Sequence, residues 1–218
     1  MTIVIATGNR YKFNELVDLL ALPGIEWRSL SDFPDTTPAE ESGLTYAANA
    51  IRKARAVSIA TGLLALADDS GIEVDVLGGK PGIHSARFAG EHGDDAANNA
   101  KMLKSLRAIK PIRRTARYRC VLALCDGKKV LAVTEGVWEG RIAEEPKGTG
   151  GFGYDPLFYL PTRKKTAGQI SPALKQRISH RSQAALRMKA HLRRLTATVQ
   201  KSSQKPPAKR RPRKEPAT

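Results

Sequence analysis

Cysteine, aromatic side chains, acidic residues and long apolar runs are all scarce in this chain of 218 residues, and each shortage narrows what it can be. The longest uninterrupted apolar run is the six residues Cys120 to Cys125. A spanning helix needs roughly 20, so no transmembrane segment is expected. Met1 to Ala6 has no basic lead-in and only a short apolar stretch before Thr7-Gly8-Asn9, which does not read as a secretory signal. A cytoplasmic location is expected. The two cysteines lie five apart in an expected strand, on opposite faces and roughly 16 Å from each other by strand rise. A disulfide requires Cα atoms within about 7 Å, and two thiols are too few for a zinc site.

The deficit of acid is large: 37 Lys and Arg stand against 21 Asp and Glu, a net charge of +16. Residues 200–218 hold seven of the basic residues, one Glu and four Pro, with nothing apolar larger than Ala. Such a segment cannot offset its ordering entropy by burial, so it reads as a disordered basic tail behind a body of residues 1–199. That body still carries +10. Lys101 to Arg119 has eight basic residues and no acid, which suits either a polyphosphate or nucleic-acid surface or a solvated helix face.

The hydrophobic pattern predicts an α/β architecture. Thr2 to Ala6 reads as a buried strand, and Phe13, Leu16, Val17, Leu19 and Leu20 follow at helical spacing. Ile25 to Leu30 is a second candidate strand, followed by an acidic loop, and Leu44, Ala47, Ile51 and Ala54 predict a helix to about Ala60. Leu63 to Ala67 reads as a short strand ending in Asp68-Asp69-Ser70-Gly71, with Glu73 to Leu77 extended and Gly78 to Gly90 an ordered loop. A helix is expected at about 94–109. Ala116 to Cys125 and Lys129 to Trp138 flank Asp126-Gly127, a strong hairpin signal that implies a lobe of antiparallel strands. A glycine-rich loop from Gly148 to Gly153, a strand near Leu157 to Leu160 and a final helix from Ala185 to Val199 complete the reading.

Three groups of residues could do chemistry. Thr7-Gly8-Asn9-Arg10-Tyr11-Lys12 joins a strand to a helix, where free N–H groups and a lysine one turn in can seat an anion. A hydroxyl-Gly-Asn helix cap with a surface lysine would look the same. In Asp68-Asp69-Ser70-Gly71 a carboxylate at the end of a strand can hold Mg²⁺ or accept a proton from water, and adjacent residues face opposite ways, so one aspartate should enter a site. An Asx turn is the alternative. Glu40 and Glu41 could add oxygen ligands. The third group is Phe152-Gly153-Tyr154-Asp155 with Lys175 and Ser179-His180-Arg181: aromatics beside glycines can offer a base a stacking face, although core packing is the commoner role.

These blocks together resemble the inosine triphosphate pyrophosphatase family, also called Ham1-like or RdgB-like. The resemblance runs from about Ile3 to Leu195 through TGNRYK, AEESGLTYAANAIRKA, ADDSGIEVDVLGGKPGIHSARFAG, GTGGFGYDPLF and ISHRSQA. It implies a two-lobed α/β protein with a central mixed β-sheet flanked by helices, a homodimer, and Mg²⁺-dependent cleavage of ITP, dITP and XTP to the monophosphate and pyrophosphate. Thr7 to Lys12 would bind triphosphate, and Asp69 would be proton acceptor and metal ligand with Glu40 as second ligand. Ser70, Phe152 to Asp155, Lys175, His180 and Arg181 would contact substrate. Arg10-Tyr11 and Gly168-Gln169 depart from the family pattern, and the tail lies outside it; weak nucleic-acid contact is its expected role. A nucleic-acid-binding protein and a non-hydrolysing nucleotide sensor are the rival readings.

Overall fold

A computed structural model describes residues 1–37 and 39–203, with side chains as far as Thr198. Among these residues one seven-stranded sheet runs in the order β2-β1-β3-β4-β5-β6-β7. The strands are β1 (Thr2–Ile5), β2 (Glu26–Ser29), β3 (Leu64–Val74), β4 (Thr115–Asp126), β5 (Lys129–Ile142), β6 (Phe158–Leu160) and β7 (Lys165–Thr166). The helices are α1 (Arg10–Leu20), α2 (Tyr46–Thr61), α3 (Asp95–Ser105), α4 (Pro172–Ile178) and α5 (His180–Ser203). β1 is parallel to β2 and β3, whereas β3 to β7 pair antiparallel. The sheet is therefore mixed, as expected.

Burial along β4 explains the two halves. Ala116, Tyr118 and Cys120 are buried while Arg117 and Arg119 alternate with them on a wet face; from Val121 to Cys125 both faces are covered. The sequence carries the same switch, since TARYRC alternates and VLALC is continuous. In the fully covered half, Ile3, Ile5, Leu66, Leu122 and Leu124 pack against α1 and α5. On the other face Val4, Ala65, Ala67, Val121 and Ala123 pack against Ala50, Ala54 and Val57 of α2. At the far end Tyr118, Trp138 and Phe158 build a third core with α3, their rings 4.5 and 5.1 Å from the Phe158 centroid. Cys120 and Cys125 are buried on opposite faces as free thiols.

Several boundaries differ from the sequence reading. β3 does not stop at Ala67 but runs on to Val74, so Asp68 to Gly71 lie in mid-strand and form no turn. Each of these residues has a partner in β4, from Asp68 opposite Leu122 to Gly71 opposite Arg119. The ladder hydrogen bonds outweigh the local turn preference of Asp and Gly. Leu44 is 91% exposed and lies outside α2, because Thr45 caps the helix by accepting from Ala48 N at 3.1 Å. α3 ends at Ser105, short of Ile109. A separate α4 precedes α5; its Ser171 cap and Pro172 at the first position are a legible start signal. α5 continues to Ser203, four residues into the segment read as tail, while 204–218 lie outside the described residues.

Candidate functional site

A cavity of about 480 Å³ opens where β1 ends and β3 continues. β1 last pairs at Ile5 with Leu66, and Ala6 N still donates to Leu66 O at 2.7 Å. Beyond that the chain turns away through Thr7-Gly8-Asn9, which leaves the side of β3 from Asp68 onward uncovered. The carboxylates thus project at the carboxyl end of the neighbouring parallel strand rather than at the end of their own.

Thr7, Gly8, Asn9 and Lys12 line the cavity. Asn9 also caps α1, its Oδ1 accepting from Lys12 N at 3.1 Å, so the cap and the cavity wall are one structure. Arg10 and Tyr11 are exposed and outside the lining; the Tyr11 ring stacks on Phe152, 6.2 Å away and inclined 20°.

The aspartates divide as their alternation requires. Asp68 is buried, with Lys12 Nζ at 3.2 Å and Arg181 Nη2 at 3.4 Å from its Oδ2, and Ser70 Oγ donates to the same oxygen at 3.3 Å. Burial alone would push this carboxyl up, but Lys12, Arg181 and Lys53 hold it well below the usual carboxylate range. Asp69 faces α2 and lines the cavity. Its Oδ2 accepts from Asn49 Nδ2 at 3.0 Å, its Oδ1 accepts from Ser70 N at 3.1 Å, and Lys53 Nζ lies 3.7 Å away. Burial, reinforced by the charge of Glu41 and opposed by Lys53, raises Asp69 to about 6. A carboxylate poised there can accept a proton near neutral pH.

Glu40 is exposed and outside the cavity lining. Its neighbour Glu41 lines the cavity, binds Lys53 Nζ at 2.7 Å, and lies 3.7 Å from an Arg87 nitrogen. The acidic loop is pinned by Gly43 N, which donates to Asn49 Oδ1 at 2.7 Å. One ammonium, Lys53, therefore sits between the carboxylates of Asp69 and Glu41. Hard oxygen donors already facing a shared cation fit a divalent ion that keeps most of its shell in water and phosphate.

Across the cavity the glycine-rich loop supplies Phe152, Gly153, Tyr154 and Asp155. Asp155 is buried; its Oδ2 accepts from Phe152 N at 2.9 Å and pairs with Lys175 Nζ. Gly151 has φ +77, and a Cβ there would lie 1.9 Å from Asp155 Oδ2, so only glycine lets the loop fold over this carboxylate. Lys175 Nζ lies 4.6 Å from the Phe152 ring centroid and the Arg181 guanidinium 5.6 Å. Tyr154 is a core residue as well, donating from its hydroxyl to Ser85 O at 2.8 Å. His180 is buried and stacked on Tyr118 at 4.6 Å and 8°; burial, with Arg181 and Lys175, holds its imidazole neutral. His180 Nδ1 has no protein partner. Arg181 is locked from below by Glu15 at 2.7 Å.

Of the residues singled out in the sequence as candidates for chemistry, all but Arg10, Tyr11, Glu40, Asp68 and Ser179 line this one cavity. Sequence reasoning gave no role to Lys53, Asn49, Arg87 or Glu15. The signal for Asn49 and Lys53 was their four-residue spacing on the polar face of α2, which puts both opposite Asp69.

The comparisons agree with this geometry. A profile described as the Ham1 family matches residues 3–191. A protein of Thioalkalivibrio sulfidiphilus named dITP/XTP pyrophosphatase is 54% identical over 188 residues, covering 84% of this chain and 94% of its own. One from Desulforamulus reducens with the same name is 50% identical over 195 residues, covering 89% and 97%. Among solved structures, a HAM1 protein from Coxiella burnetii superposes with a TM-score of 0.82 at 40% identity, covering 89% of this chain and 99% of its own. The Staphylococcus aureus Ham1 protein gives 0.81 at 38% identity, covering 89% and 100%. Matched along nearly its whole described length in sequence and in fold, the chain belongs to the Ham1 family.

Proposed function

We propose that this protein hydrolyses the non-standard purine nucleoside triphosphates dITP, ITP and XTP to the monophosphate and pyrophosphate, removing them from the nucleotide pool. The observation that carries the reading is Asp69: a buried carboxylate fixed by Asn49, at the wall of a cavity that also presents Lys12, Lys53, Lys175 and Arg181. The name of the relatives described above, dITP/XTP pyrophosphatase, points to two of these substrates and to pyrophosphate as a product.

Asp69 accepts a proton from a water that attacks the α-phosphorus. The bond from that phosphorus to the bridging oxygen breaks, and pyrophosphate leaves with the electron pair. Lys12, with the N–H groups at the start of α1, meets the charge on the leaving group; one well-placed donor of this kind is worth about 3 to 4 kcal/mol in the transition state. Mg²⁺ would be held by Asp69 and a second carboxylate of the Glu40–Glu41 pair, with Glu40 the ligand expected from the resemblance, and when bound it supplies charge neutralisation at the phosphate oxygens. Ser70 and the Thr7 to Lys12 turn orient the triphosphate, through Thr7, Gly8, Asn9 and Lys12 at the cavity wall, with Arg10 and Tyr11, expected from the resemblance to join them, lying outside the lining.

Selectivity follows from hydrogen-bond polarity. A 6-oxopurine presents an acceptor where adenine presents an amine. Donors from His180 or Arg181 are satisfied by the first and left facing hydrogens by the second, and sites built this way discriminate by roughly 10⁴ to 10⁵. Phe152 gives the base its stacking face.

The reading includes a homodimer, a cytoplasmic location and weak nucleic-acid contact through the basic tail. Sedimentation and a salt-dependent RNA-binding measurement on the full chain and on a chain ending at residue 199 test the first and last. The central experiment is a panel of ITP, dITP, XTP, GTP and ATP with Mg²⁺, scoring pyrophosphate against orthophosphate. Pyrophosphate from the first three supports the proposal; orthophosphate as the primary product moves the attack to a terminal phosphorus and overturns it. Binding without turnover would make the protein a sensor.

A further inference from the structure

We propose that Asp95 and Asn99 of α3 are positioning residues for the base loop, holding Gly153 by both of its backbone polar groups and thereby fixing how Phe152 meets a 6-oxopurine. Gly153 N donates to Asp95 Oδ2 at 2.7 Å, and Asn99 Nδ2 donates to Gly153 O at 2.9 Å. The two side chains are four residues apart and so share one face of the helix. Neither is engaged in capping: Asp94 caps α3, its Oδ1 accepting from Ala97 N at 2.9 Å. The acceptor and the donor are thus arranged on a rigid element with the polarity that a backbone N–H and C=O require.

The loop needs such an anchor. Gly148, Gly151 and Gly153 all adopt positive φ, at 82, 77 and 64°. Glycine-rich backbone loses more conformational freedom on ordering than any other. Phe152 is held on its amino side by the bond to Asp155, and the Gly153 contacts hold its carboxyl side, so the ring-bearing residue is fixed from both flanks. A binding surface ordered before its ligand arrives avoids that cost on association. The proton acceptor and the cations around Asp69 are untouched by these bonds, so their loss should weaken substrate binding and leave the chemical step alone.

This inference rests on the pyrophosphatase reading for its substrate, and the test separates the two. Asp95→Ala and Asn99→Ala are expected to raise KM for ITP about tenfold with kcat within twofold of wild type. Asp95→Asn keeps an oxygen that can accept from Gly153 N–H and should stay within about threefold. Without any nucleotide, amide hydrogen exchange in 148–155 should quicken in both alanine variants and remain like wild type in Asp95→Asn, with exchange in β3 and β4 unchanged as the measure of an intact fold. Unchanged KM and unchanged exchange in the alanine variants overturn the proposal. So does a fall in kcat alone, or an Asp95→Asn as impaired as Asp95→Ala, which would make the charge itself the functional feature. If the wild-type protein turns over no triphosphate, the pyrophosphatase reading fails while the exchange measurement still decides the anchor.

Discussion

Asp68 and Asp69 are consecutive in β3 and serve opposite faces of it: Asp68 is sealed against Lys12 and Arg181, whereas Asp69 looks into the cavity beside Lys53. Their substitution should therefore fail in different ways. Asp69→Asn keeps the hydrogen bond from Asn49 and should lose about 10² to 10⁴ in kcat, the range for a missing general base, with the melting temperature close to wild type. Asp68→Asn leaves Lys12 and Arg181 facing a neutral group in the interior. Breaking a buried pair costs about 3 to 5 kcal/mol, so denaturant melts should show the larger loss there. Equal stability losses in the two variants would contradict the division of labour.

Stability should fall in mild acid through His180. Its imidazole is neutral in the native state, with the pKa lowered by burial and by Arg181 and Lys175. The unfolded chain takes up the proton at about 6.5 and the folded one does not. The contribution is complete above that pH and declines as pH drops toward the native value, by up to about 1.4 kcal/mol per unit. His180→Phe keeps the stack on Tyr118 and removes the titration, so denaturant melts between pH 7.5 and 5 should show a shallower decline than wild type.

The same His180→Phe variant tests base selection. Nδ1 is buried without a protein partner, which suits a donor reserved for a ligand oxygen. The ratio of kcat/KM for ITP over ATP should shrink at least tenfold. An unchanged ratio leaves Arg181 as the discriminating donor.

Tyr11 is 71% exposed yet stacked on Phe152. Aromatic pairs contribute about 0.5 to 1.5 kcal/mol beyond the area they bury. Tyr11→Ala should therefore raise KM for ITP by no more than about tenfold while kcat holds, as measured by steady-state kinetics.

The two acids of the Glu40–Glu41 pair can be told apart by titrating Mg²⁺. Glu41 already faces Lys53 and Asp69, so Glu41→Gln should shift the Mg²⁺ concentration for half-maximal rate upward. A comparable shift in Glu40→Gln alone would assign the ligand to Glu40 and leave Glu41 as the partner of Lys53 and Arg87.

Most of the architecture was legible because β4 and β5 carry their burial in their residue alternation, and because α1 and α2 have periodic apolar faces. The length of β3 was not. Asp-Asp-Ser-Gly has the composition of a turn, and only pairing with residues some 50 positions later keeps it extended. Within the site, TGNRYK and GTGGFGYD were visible as loops beside charged groups, whereas Arg181 could not be tied to Glu15, because 166 residues separate the partners. The choice between Glu40 and Glu41 was equally hidden, since it depends on how a loop without regular structure folds back on α2.

β3 belongs to both the parallel and the antiparallel halves of the sheet, with no linker between them. The parallel pairing ends at Leu66, and Gly71 lies beyond it in the purely antiparallel stretch, where a Cβ would come within 2.3 Å of Gly82 O and 2.5 Å of Ser85 Oγ. Gly71 and Ser85 both line the cavity, so the fit between this strand and the Gly82–Arg87 turn sets one of its walls. Even a methyl group at this position would have to push that wall outward, so the width of the cavity there is set by a single hydrogen atom.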